Sequence, residues 1–187
     1  MIILIGGVSC TGKTLMAQKL LEKYHMPYMS IDHVKMGLIR GSRYCDFKAT
    51  DGDDEIAEKL WPIVKGIIMT NIENDQHLIL EGCYLPPEHL AEFESPYAEQ
   101  IISLNLIFSK NYIESHFETG IIKHLDQIEK RSRDDYMNVS DFIQKHEALK
   151  ARSIKHNITY FEVVEDYERD LKQAYAWVDQ RVSELKR

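Results

Sequence analysis

A chain of 187 residues with 44% hydrophobic and 28% charged side chains has the composition of an ordinary globular protein, and its length fits one core and one domain. Disorder is not the default reading of that balance. The formal charge of −7 argues against a protein that coats long nucleic acid, because neutralising phosphates needs a basic surface. Cys10, Cys45 and Cys83 are odd in number, widely spaced and form no CxxC pair, which suits a reducing compartment better than a disulfide framework. The apolar run over residues 1–5 is too short for a signal-peptide core, and no stretch approaches the roughly 18 apolar residues of a membrane span. A cytoplasmic protein without a membrane partner is expected.

In chain order, residues 2–6 (IILIG) are a continuous apolar, β-branched run, the pattern of a parallel strand buried on both faces. Residues 13–24 follow with Leu15, Met16, Leu20 and Tyr24 at helical spacing. A short strand is expected at 28–31, one or two helical turns at 33–40, and a polar loop over 41–53. Residues 54–74 put Ile56, Leu60, Ile63, Val64 and Ile67 on one helical face, with a kink or a junction at Pro62. His77 to Glu81 (HLILE) reads as a strand, 82–87 as a loop, 88–94 as a short helix and 100–108 (QIISLNLIF) as the fourth strand. Residues 110–118 look helical, and 119–137 are densely charged. A helix at 139–156 and a fifth strand at 158–164 precede the clearest helix, 167–185, whose stripe runs Tyr167, Leu171, Ala174, Val178, Val182. Strands alternating with helices imply an α/β sandwich of three layers: a five-stranded parallel sheet with helices on both faces.

Gly7-Val8-Ser9-Cys10-Thr11-Gly12-Lys13-Thr14 matches G-x-x-x-x-G-K-[ST] at every fixed position. Glycines permit the backbone conformations that aim successive amides at one point, making a nest for phosphate oxygens. The helix that follows adds the partial positive charge of its N-terminus. Lys13 has the reach for β- and γ-phosphates, and the Thr14 hydroxyl is a ligand for Mg²⁺. A buried strand before the loop and an amphipathic helix after it are the context such a loop requires. Cys10 reads as a small space-filler within it, with a redox-sensitive role as the alternative.

With this loop and order of elements, the chain resembles the compact P-loop kinases of nucleoside monophosphates and small metabolites. These include adenylate, shikimate and gluconate kinases and the zeta-toxin-like and 2-phosphoglycerate-kinase-like proteins. The resemblance implies the P-loop NTPase fold, ATP and Mg²⁺ as cofactors, and a small-molecule phosphoryl acceptor. It also implies a small helical lid near residues 119–137. Three further stations carry it. In Ser30-Ile31-Asp32-His33-Val34-Lys35, the family's acid stands as Asp32, expected at the metal or the acceptor hydroxyl. Lys35 stands where the family has an arginine that grips an anion. In Leu78-Ile79-Leu80-Glu81-Gly82-Cys83-Tyr84-Leu85, Glu81 is expected to orient a metal-bound water, while Leu85 replaces the arginine of adenylate kinases. In Glu129-Lys130-Arg131-Ser132-Arg133, the two arginines are expected to fold over the transferring phosphoryl group.

Each residue also has a plainer reading. Asp32 could simply cap the next helix, Glu81 could be an ordinary strand-end acid, and a run such as 129–135 is often a solvated helical face. Arg40 and Arg43, in the polar region after the second strand, are candidates to hold an anionic acceptor. Tyr24, Tyr28, Tyr44 and Tyr84 are candidates to stack on a base or sugar. Two other functions stay open: a toxin-like or polynucleotide-end kinase acting on a nucleotide-sugar or RNA, and a switch ATPase.

Overall fold

The computed structural model describes residues 1–124 and 138–185. Its five parallel strands are β1 (Ile2–Gly7), β2 (Tyr28–Ser30), β3 (Leu78–Gly82), β4 (Ile101–Phe108) and β5 (Thr159–Val163). They lie in the order β2-β3-β1-β4-β5. β1 is central, and its register sets Gly6 between Gly82 of β3 and Asn105 of β4. The unbroken apolar run of β1 follows from this position, since both of its faces are covered. Ile3 and Ile5 enter one core with Met16, Leu20, Leu171 and Val178; Ile2 and Leu4 enter a second with Ile56, Leu60, Val64 and Leu80.

Helices α1 (Lys13–Tyr24) and α7 (Tyr167–Leu185) supply the first core, while α2 (Ile31–Gly41) and α3 (Asp53–Glu73) supply the second. The expected three-layer α/β sandwich is therefore present. The remaining helices are α4 (Pro87–Leu90), α5 (Lys110–His116) and α6 (Val139–Lys155). α6 starts at a side-chain cap, where Asn138 Oδ1 accepts the amides of Ser140 at 3.0 Å and Asp141 at 3.2 Å. β1 and β3 end side by side at Gly7 and Gly82, and the loop read as phosphate-binding rises from that edge.

Several boundaries differ from expectation. α2 begins at Ile31 with Ser30 at its N-cap position, so Asp32 lies inside the first turn and does not cap it. α3 runs unbroken through Pro62, with no junction there. Pro62 is exposed, so the carbonyl it cannot serve faces water. The helix expected over 88–94 stops at Leu90, and α5 passes at His116 into a π turn, Phe117–Ile121. The expected lid, 119–137, extends beyond the described residues, and Arg131 and Arg133 lie outside them.

Candidate active site

Between β1 and α1 the chain turns through three residues of positive φ: Gly7 at 147°, Cys10 at 67° and Gly12 at 84°. A Cβ on Gly7 would overlap the Leu106 carbonyl, and one on Gly12 the Tyr167 hydroxyl, so both glycines are required by contact as well as by conformation. Cys10 holds a left-handed conformation that costs an L-residue about 1–2 kcal/mol. Its partly buried side chain packs against the first core, as a space-filler should. Backbone strain of this sort persists where the surroundings dictate it. Lys13 is buried, its Nζ donating to the Val8 carbonyl at 2.8 Å, and the Thr11 hydroxyl donates to the same carbonyl at 2.9 Å. The loop thus curls around its own lysine. Thr14, the second residue of α1, is half-buried beside it.

Glu81 stands at the end of β3 with 2% of its surface exposed. Its Oε1 has no hydrogen-bond partner among the described residues, and neither has the Ser30 hydroxyl. Burial raises its pKa above the ordinary carboxyl value, opposed by the Lys13 ammonium and by the nearby hydroxyls of Ser30 and Thr14. A buried carboxylate oxygen without a partner asks for an ion or a water. No group of three His, Cys, Asp or Glu side chains able to hold a metal occurs among the described residues. Oxygen donors from Glu81 and Thr14 instead fit Mg²⁺, which keeps several waters and takes few protein ligands.

Asp32 is brought close enough for its charge to act on Glu81. Its Oδ1 accepts from Lys35 Nζ at 2.9 Å, one helical turn on. Lys35 also donates to the Tyr84 hydroxyl at 2.7 Å and sits over that ring, 4.7 Å from its centroid. Burial works against the Lys35 ammonium, but the bonds to Tyr84 and Asp32 outweigh it and raise its pKa. Tyr84, itself buried, is pushed up to about 12 by burial. The structure therefore turns Lys35 inward, onto Asp32 and Tyr84, and leaves Tyr84 no open face for a base. Arg40 lies in the last turn of α2 and Arg43 just beyond the helix; both are exposed.

A cleft of about 500 Å³ opens from Gly7, Val8 and Ser9, with Cys83 against its floor. The first turn of α3 forms one wall through Asp53, Asp54 and Glu55; α6 forms the other through Asp141, Lys145 and Arg152. Arg40 and Arg43 are not among its walls. Arg152 Nη1 reaches Asp54 Oδ1 at 2.8 Å, its Nε donates to Glu88 Oε2 at 3.2 Å, and its Nη2 pairs with Glu88 Oε1. Lys145 pairs with Asp53 at 2.8 Å.

Two side chains were missed by sequence reasoning. Arg152 sits on a helix read only for its apolar face. Tyr167 was read as the start of a core stripe, yet its hydroxyl lies on Gly12 and donates to the Thr11 carbonyl at 3.3 Å. For Tyr167 the available signal was position, since residues just beyond the carboxyl ends of parallel strands face the ligand side of such sheets; Arg152, late in α6, carried no such signal.

Neither a family model nor a curated protein matches the sequence. Solved structures do share the fold. The shikimate kinase from Aquifex aeolicus aligns with a TM-score of 0.55 at 13% identity, over 97% of this chain and 98% of that one. A sugar kinase from Janibacter gives 0.52 at 14% identity, over 95% and 94%. A gluconokinase from Sinorhizobium meliloti gives 0.50 at 12%, over 98% and 94%. The fold is the one these solved kinases have. No described helix is long and apolar enough to cross a membrane.

Proposed function

We propose that this protein is an ATP- and Mg²⁺-dependent kinase that phosphorylates a hydroxyl of a small molecule. One observation carries the reading. A loop with the full G-x-x-x-x-G-K-T spacing curls around a buried lysine, beside a buried carboxylate oxygen that lacks a partner among the described residues. The kinase folds of the aligned structures support it. In this reading the loop amides and Lys13 hold the β- and γ-phosphates. Thr14 and Glu81, with Asp32 near, would hold Mg²⁺, which would supply positive charge to offset that of the phosphates. Asp32 orients the acceptor hydroxyl and takes its proton as the oxygen bonds to phosphorus and ADP leaves. Lys35 and Tyr84 fix the carboxylate of Asp32 for that task. Arg131 and Arg133 are proposed to cover the transferring group. Catalysis is then mainly positioning and charge.

The test is calorimetry with Mg·ADP and ADP release from Mg·ATP, run on the native protein and on Lys13→Ala. Native heat of binding, with at least about a hundredfold loss of turnover in the variant, is expected. A variant that turns over ATP normally would remove the basis of the assignment.

A further inference from the structure

Serine is favoured at a helix N-cap because its hydroxyl can accept an amide of the first turn. Ser30 holds that position in α2, with extended backbone angles of φ −80° and ψ 130°, yet its hydroxyl makes no bond to the helix. The residue is 2% exposed, and its Oγ has no hydrogen-bond partner among the described residues. The register of β2 on β3 sets Ser30 opposite Glu81, whose buried Oε1 is unpaired in the same sense. Ser30, Thr14 and Lys13 all stand near enough to Glu81 to act on its charge. Two adjacent strands thus each bury one unpaired polar atom, at the same level of the sheet and beside the phosphate loop.

We propose that Ser30 is a positioning residue of the cation site, its hydroxyl and the Glu81 carboxylate together holding one water in the shell of bound Mg²⁺. This rests on the phosphotransfer reading above. Polar atoms buried at this depth are normally paired, and a water fits where two to four polar groups converge. A carboxylate oxygen can only accept, whereas a hydroxyl can donate or accept. A water between Oε1 and Oγ can give one hydrogen to each and leave its lone pairs for a cation. Mg²⁺ suits such a place, because it keeps several waters and takes few protein ligands. Removing a group that orients a metal's surroundings commonly costs about ten- to a hundredfold in metal affinity. A hydroxyl kept only for the helix would instead be turned onto an amide of α2.

The experiment compares the native protein with Ser30→Ala. Calorimetry in EDTA measures affinity for metal-free ADP. Electron paramagnetic resonance measures the affinity of the ADP complex for Mn²⁺, which shares the preference of Mg²⁺ for oxygen ligands. In the variant, Mn²⁺ affinity should fall about tenfold or more, while metal-free ADP affinity stays within about twofold. The melting temperature without ligands should not fall, since the hydroxyl removed is one that no protein group pairs. Loss of a helix cap would lower it by about 2–4 °C. Unchanged Mn²⁺ affinity, an equal loss with and without metal, or a melting temperature lowered to that extent overturns the proposal. So does a native ADP complex that takes up no Mn²⁺. The kinase reading fails on a separate result, a native protein that binds ADP neither in EDTA nor with Mn²⁺. Native binding of both, with Ser30→Ala indistinguishable, leaves that reading standing and returns Ser30 to packing.

Discussion

His146 is 2% exposed, stacks on Phe108, and meets Phe142 edge-on. Its Nδ1 accepts the Phe108 amide at 2.9 Å, which places the proton of the neutral ring on Nε2. Burial, with a smaller push from the Lys13 ammonium, lowers its pKa from 6.5 to about 3. The unfolded chain therefore binds a proton near pH 6.5 that the folded chain refuses until about pH 3. Its contribution to stability is complete above the first value and is lost as pH falls toward the second. Between about pH 7.5 and about pH 5 the loss from this one group is about 2 kcal/mol. Urea titrations at those two pH values should show it, and His146→Gln should flatten the difference. An equal drop in both proteins would mean other groups carry it. At the chemistry, Asp32→Asn should lower kcat about 10²-fold or more and leave Mg·ADP affinity within about threefold. A loss confined to nucleotide affinity would count against a role at the acceptor. Among single residues, the loop motif was legible because its meaning is local: eight consecutive positions fix their own backbone. The inward turn of Lys35 was not, since Tyr84 is 49 positions away and pairs with it only once β2 and β3 are side by side.

Between β5 and α7, one side chain organises a whole turn. Asp170 Oδ2 accepts the amides of Val164 at 2.8 Å, Glu165 at 3.0 Å and Asp166 at 3.3 Å. Those amides, with a bond from Arg169, hold its carboxyl well below the usual range. The turn delivers Tyr167 onto Gly12 and the Thr11 carbonyl. Tyr167→Phe keeps the packing and removes one hydrogen bond to the phosphate loop, worth about 0.5–1.5 kcal/mol. KM for ATP should rise about two- to tenfold with kcat within about twofold. Steady-state kinetics would show it, and an unchanged KM would reduce Tyr167 to packing. Elements with strong periodicity, such as β1 and α7, were legible because burial dictates their composition. Starts and stops were less so. α2 begins two residues earlier than its pattern indicates, because Ser30 at the strand end also serves as the N-cap position.

Across the whole molecule, alternation of strand and helix disclosed the parallel sheet, but the order β2-β3-β1-β4-β5 depends on long-range pairing that no local pattern encodes. Arg152 escaped for the same reason: its partners Glu88 and Asp54 are 64 and 98 positions distant. Binding that favours the folded state should stabilise all of it together. Mg·ADP at about 100 times its Kd should add about 2.7 kcal/mol to unfolding, seen as a higher melting temperature that Lys13→Ala lacks. No shift in the native protein would contradict a nucleotide site.

The ion pairs that join α6 to α3 and α4 have a mechanical consequence. Asp54 is 82% exposed at the side chain and Asp53 51%, so water and dissolved ions compete for Arg152 and Lys145. The strands beneath are locked by backbone ladders and by two apolar layers. The groove thus has an immovable bed and banks that part readily, and raising the ionic strength loosens the banks long before it disturbs the bed.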